Sequence, residues 1–173
     1  MASYYYLISS LPELSANEEM PITYDEFIAM CEDNVSDKTL ERLKNLTLDS
    51  AEGPLLKKWS GFYTGLFREL NAQRSAALGK SYQAEYEKDP ESTQIAQAAI
   101  TAKNPLEAEK LLLVRQFEAL DYYTGGHFFD DVCLFGYAIK LKLLERQSCF
   151  VKEKGEAEFK RLFDNVQHSV YNL

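Results

Sequence analysis

The chain has little of what enzymes and extracellular scaffolds are built from. Its 173 residues include three cysteines, two histidines, one tryptophan and five prolines. Cys31, Cys133 and Cys149 form no CxxC pair, so neither a disulfide framework nor a zinc ribbon is available, and free thiols in a reducing compartment are the expected state. With only His127 and His168 to draw on, a Ser/His/Asp or Cys/His arrangement has few ways to form, and no GxSxG motif accompanies either one. A phosphate-binding loop is lacking. Gly61-Phe62-Tyr63-Thr64-Gly65 has no P-loop lysine and falls inside a helical pattern, where two small residues four apart point instead to a close helix neighbour. No apolar run approaches the ~20 residues that cross a bilayer, and Met1-Ala2-Ser3-Tyr4-Tyr5-Tyr6 lacks the basic start of a signal peptide. These features lead to the expectation of a cytoplasmic protein without cofactor or catalytic site, attached at most peripherally to the cytoplasmic side of the inner membrane. Strand signals are nearly absent as well.

Helical periodicity fills the chain instead. Thr23-Tyr24-Asp25-Glu26 fits a capping box opening a short helix with Phe27, Ile28 and Cys31 on one side. Ser36 reads as the next N-cap, before Leu40, Leu43 and Leu46. Gly53-Pro54 opens a long helix whose Leu55, Leu56, Trp59, Phe62, Tyr63, Leu66, Phe67 and Leu70 keep the i, i+3, i+4, i+7 spacing of a buried stripe. The pattern then thins, and the same helix is expected to run on with a more solvated surface to Asp89-Pro90, with Gly79 as the alternative break point. An alanine-rich helix is expected over 91–103, and Asn104-Pro105 starts another, with Leu106, Leu112, Leu113, Phe117 and Leu120, that Gly125-Gly126 ends. The last stretch, 128–171, carries Val132, Phe135, Ile139 and Leu143, widened by Leu134, Ala138, Leu141 and Leu144. Gly155 is expected to divide it, with Phe159, Leu162, Phe163 and Val166 continuing the apolar face. The reading is an all-α, multi-helix bundle with one long central helix and a short N-terminal aromatic segment, extended or simply hydrophobic, at Tyr4–Leu11. It forms a single domain over 1–173, divisible into a core of 1–70 with 105–173 and a helical extension of 71–104.

Charge is unevenly spread. Of the net −8, residues 1–50 hold −7, from ten acidic and three basic side chains. Such a surface repels phosphate backbones, which argues against nucleic acid, and it suits either solubility or a basic protein partner. Two groups of residues have a functional reading. His127, Asp130 and Asp131 offer an imidazole and carboxylates for a metal-dependent enzyme, although acids in a first helical turn also serve the helix dipole. Tyr4, Tyr5, Tyr6 and Leu7 form an aromatic group suited either to core packing or to anchoring a partner interface.

The opening Tyr4-Tyr5-Tyr6-Leu7-Ile8-Ser9-Ser10-Leu11-Pro12-Glu13-Leu14 resembles the start of an uncharacterised bacterial family, a domain of unknown function encoded among V-type ATPase genes. Residues Thr23 to Cys31 are similar to that family's next block. Leu143-Leu144-Glu145-Arg146 followed by Lys152-Glu153-Lys154-Gly155 resembles a later one. The family is distantly similar to the helical, funnel-shaped V-type ATPase component that links the central stalk to the membrane rotor ring. At 173 residues this chain is short for the complete set of helical bundles in that component. The resemblance implies a non-catalytic subunit or assembly factor whose partners are stalk or ring proteins. A generic helical adaptor is the alternative.

Overall fold

A computed structural model describes residues 4–82, 86–150 and 152–171; in the last helix, side chains are described at 155, 158–165 and 167. The described residues form eight helices and no strand: α1 (Tyr5–Ser10), α2 (Tyr24–Cys31), α3 (Asp37–Lys44), α4 (Pro54–Ala77), α5 (Pro90–Ile100), α6 (Pro105–Thr124), α7 (Asp131–Ser148) and α8 (Lys152–Tyr171). The all-α bundle read from the periodicity is therefore the fold.

Local sequence sets most helix starts. The Glu26 N–H donates to Thr23 Oγ1 at 3.2 Å while the Thr23 N–H donates to the Glu26 carboxylate at 2.7 Å, a complete capping box. Ser36, Asp89, Asn104 and Asp130 each accept from a backbone N–H three residues on, capping α3, α5, α6 and α7. At the other end of α4, Gly79 has φ +68°, and the N–H groups of Gly79 and Lys80 return to Ala76 O at 3.0 Å and Ser75 O at 2.9 Å. That pairing is a Schellman motif, which needs a left-handed residue that glycine supplies without strain. The helix therefore stops at Ala77 and does not continue toward Asp89.

Three further sequence expectations are corrected. The leading segment, read as extended or simply hydrophobic, is the short helix α1, held by the Ile8 N–H donating to Tyr4 O at 2.9 Å. The break in the C-terminal stretch falls after Ser148 rather than at Gly155, which lies within α8. Gly61 and Gly65 mark no close approach, since a Cβ at either would meet nothing within 4 Å. The tight crossing is at Gly136, where a Cβ would stand 2.5 Å from Thr124 Cγ2.

The core has two parts. The larger gathers Phe27, Cys31, Leu43, Trp59, Leu120 and nearly the whole circumference of α7. In the smaller, Leu66 and Leu70 of α4 and Leu112 of α6 close over Ile95, Ala96 and Ala99, so α5 folds back onto both helices. Small alanines let α5 lie close, and the stripe on α4 spans both clusters. Fully burying a side chain such as Phe27 stabilises by about 1.5–3 kcal/mol. Leu106, read as part of the α6 stripe, is exposed.

The three thiols are free and graded in burial. Cys31 is wholly enclosed, and burial pushes its thiol up to about 11. A disulfide-exchange reagent at neutral pH is therefore expected to label exposed Cys149 first, half-buried Cys133 more slowly, and Cys31 only on unfolding. Rapid labelling of Cys31 in the native protein would contradict the packing of α2 against α7.

Candidate interaction surface

Helical geometry splits the four N-terminal residues. Tyr4 and Leu7, three apart on one face, are buried, whereas Tyr5 is 53% and Tyr6 85% exposed. Tyr4 is tied down twice: its N–H donates to Phe129 O at 2.8 Å, and its hydroxyl donates to Asp131 Oδ1 at 2.8 Å. Burial, with help from the Asp131 carboxylate, raises the Tyr4 phenol above its ordinary range. Core packing thus claims Tyr4 and Leu7, and a surface role is left to Tyr5 and Tyr6. Those two rings meet edge-on at 5.5 Å between centroids, and Tyr5 also packs on Phe129 at 4.7 Å. With Phe129, 37% exposed, they make an aromatic patch where α1 meets the α6–α7 turn, and Phe128 in the same turn is 69% exposed. The sequence does not mark residues 128 and 129 as surface, because no periodicity covers a turn; two phenylalanines directly after Gly125-Gly126-His127 were the available signal.

Asp131 also lines an open cleft of about 240 Å³, together with residues 52–56, His127, Asp130, Val132, Phe135 and Arg42. The structure brings His127, Asp130 and Asp131 to this cleft, each engaged locally. His127 Nδ1 lies 2.6 Å from Asp130 Oδ2, and the other Asp130 oxygen accepts the Cys133 N–H at 3.1 Å. Partial burial raises the Asp130 carboxyl, but the hydrogen bonds from His127 and Cys133 outweigh it and hold the group below its usual range. Asp131 accepts from Tyr4. Among the described residues, no three His, Cys, Asp or Glu side chains are grouped to hold a metal ion. The side chains of His168 and Val166 lie outside the described residues. Arg42, which sequence reasoning passed over, crosses the cleft: its guanidinium lies 4.6 Å from the Phe135 ring centroid, and Nη2 donates to Glu52 O at 2.6 Å.

The third surface is α8. Phe159, Leu162 and Phe163 occupy one helical face at i, i+3 and i+4 and are 71%, 51% and 51% exposed. Phe159 and Phe163 stack at 6.3 Å, and Arg161 pairs with Glu158 nearby. Among the described residues no other helix packs extensively on α8. Among the described residues, no helix is long and apolar enough to cross a membrane. No protein-family model matches the chain, and neither a curated protein nor a solved structure matches it.

Proposed function

We propose that the protein is a non-catalytic component of a V-type ATPase, either a part that links central stalk and rotor ring or an assembly factor for them. The observation that carries a contact-making role is α8. In a chain whose α4, α6 and α7 bury their apolar stripes, this helix leaves two phenylalanines and a leucine uncovered on one face. Exposed apolar groups contiguous at helical spacing fit a partner's groove or helix, and desolvating them would drive association. The aromatic patch at Tyr5, Tyr6 and Phe129 offers a second contact on the body of the bundle. The choice of partner rests on the likeness of the 4–14, 23–31 and 143–155 blocks to the family encoded with V-type ATPase genes. Torque or assembly would pass through packed helices, which a helical bundle supplies.

The test is purification of the tagged chain from gently solubilised native membranes, beside a Phe159→Asp/Phe163→Asp variant. Stalk and ring proteins should accompany the wild type in fixed ratio, and the variant should recover at least about tenfold less, because charged groups on the buried face of an interface cost several kcal/mol. Its thermal unfolding should match the wild type, since these side chains lie outside both core clusters. Wild type recovered alone would overturn the proposal. An unrelated protein recovered in fixed ratio would establish the adaptor instead.

A further inference from the structure

We propose that the cleft between the start of α4 and the α6–α7 turn seats a lysine or arginine side chain from a basic segment of a protein partner. Its floor is apolar, made by Leu55, Leu56, Val132 and Phe135, while three carboxylates, Glu52, Asp130 and Asp131, stand around it against the single guanidinium of Arg42. That cation is already committed. It lies over Phe135, donates to the Glu52 carbonyl, and its Nε is 3.7 Å from the Glu52 carboxylate. His127 is engaged by Asp130.

The chemistry selects among anchors. An acidic side chain would meet three carboxylates, and an apolar one would strip water from them without replacing its hydrogen bonds. A long basic side chain satisfies both halves of the cleft, with methylenes on the apolar floor and the charge among the carboxylates. Arg42 shows the arrangement within the chain itself, a cation held between an aromatic face and oxygen acceptors. Surroundings add to it. Tyr5 and Tyr6 provide exposed aromatic area on α1, whose Tyr4 is bonded to Asp131 of the cleft, for the residues flanking the anchor. The net charge of −8 on the whole chain would favour the approach of a basic segment. This inference rests on the reading of the chain as a contact-making protein and names the chemistry of what it contacts.

The probe is a short capped peptide, acetyl-Ala-Ala-Lys-Ala-Ala-amide, with arginine and norleucine counterparts, titrated into the isotope-labelled full chain and followed by amide chemical shifts. Lysine and arginine peptides should give saturable shifts in 52–56 and 127–132, and norleucine, which keeps the stem and loses the charge, should bind at least about fivefold more weakly. In a Glu52→Gln/Asp131→Asn variant, the side-chain amide at position 131 retains an oxygen for the Tyr4 hydroxyl. That variant should weaken the lysine peptide on the order of tenfold while amides elsewhere keep their positions. Equal binding of norleucine, unchanged affinity in the variant, or no saturable shift at these residues would overturn the proposal. If stalk and ring proteins are still recovered from membranes after such a result, only the cleft assignment falls. Peptide binding without those proteins overturns the V-type assignment and not the cleft.

Discussion

Replacing Trp59 with alanine is expected to destabilise the fold by about 3–5 kcal/mol, a large share of the ~5–15 kcal/mol available to a domain. The indole is fully buried, packs against Phe62 at 5.8 Å and Tyr63 at 5.5 Å, and donates from Nε1 to Leu48 O at 2.8 Å. Alanine would therefore leave a cavity and strand a carbonyl that helps fix the turn before α4. Trp59→Phe separates the two effects: it keeps most of the volume, loses the hydrogen bond, and should cost about 1–2 kcal/mol. Urea unfolding measures both, as a lowered midpoint at unchanged slope. A loss below about 1 kcal/mol for the alanine variant would mean that α4 is not anchored in this way.

A second large effect is expected at Gly136, from overpacking. An added Cβ would come within 2.5 Å of Thr124 Cγ2 and 3.9 Å of Leu55 Cδ2. Thr124 is not free to turn, because its hydroxyl donates to Leu120 O at 2.8 Å in the last turn of α6. For Gly136→Ala, the ~1 kcal/mol gained in helix propensity opposes the clash, leaving a small net loss. Gly136→Val adds two further methyl groups on a β-branched side chain and should cost about 2–3 kcal/mol. Because the first clash is with one methyl, Thr124→Ser should relieve it in the alanine background. The double variant is then more stable than the sum of the singles predicts. Strict additivity in urea titrations would rule out the close crossing of α6 and α7.

Helix starts were legible because capping is a matter of three or four adjacent residues. Thr23 with Glu26, Ser36, Asn104 with Pro105, and Gly53-Pro54 all stand where their helices begin. The α4 stripe was legible because 3.6-residue periodicity records one-sided burial, and α7 because its apolar positions run right round the helix. Burial without periodicity was harder to read. Alanines 96 and 99 give little hydrophobic signal, yet they let α5 fold onto α4 and α6. The candidate surfaces divide the same way. His127, Asp130 and Asp131 drew attention as chemistry-bearing residue types, but Arg42 and Glu52 reach the same cleft from distant points in the chain.

By itself, then, the sequence determined the helical class, the caps and the apolar stripes, since each depends on neighbours within about two turns. Tertiary structure alone decided which aromatic residues are core and which are surface. Tyr4 and Tyr5 are adjacent and chemically alike, but Tyr4 is held by Phe129 and Asp131 some 125–127 positions away while Tyr5 is left half exposed. It also decided that Gly136, rather than Gly61 or Gly65, is the glycine a neighbour requires. Both outcomes depend on where α6 and α7 cross, and packing distances of that kind are written into no local stretch of chain.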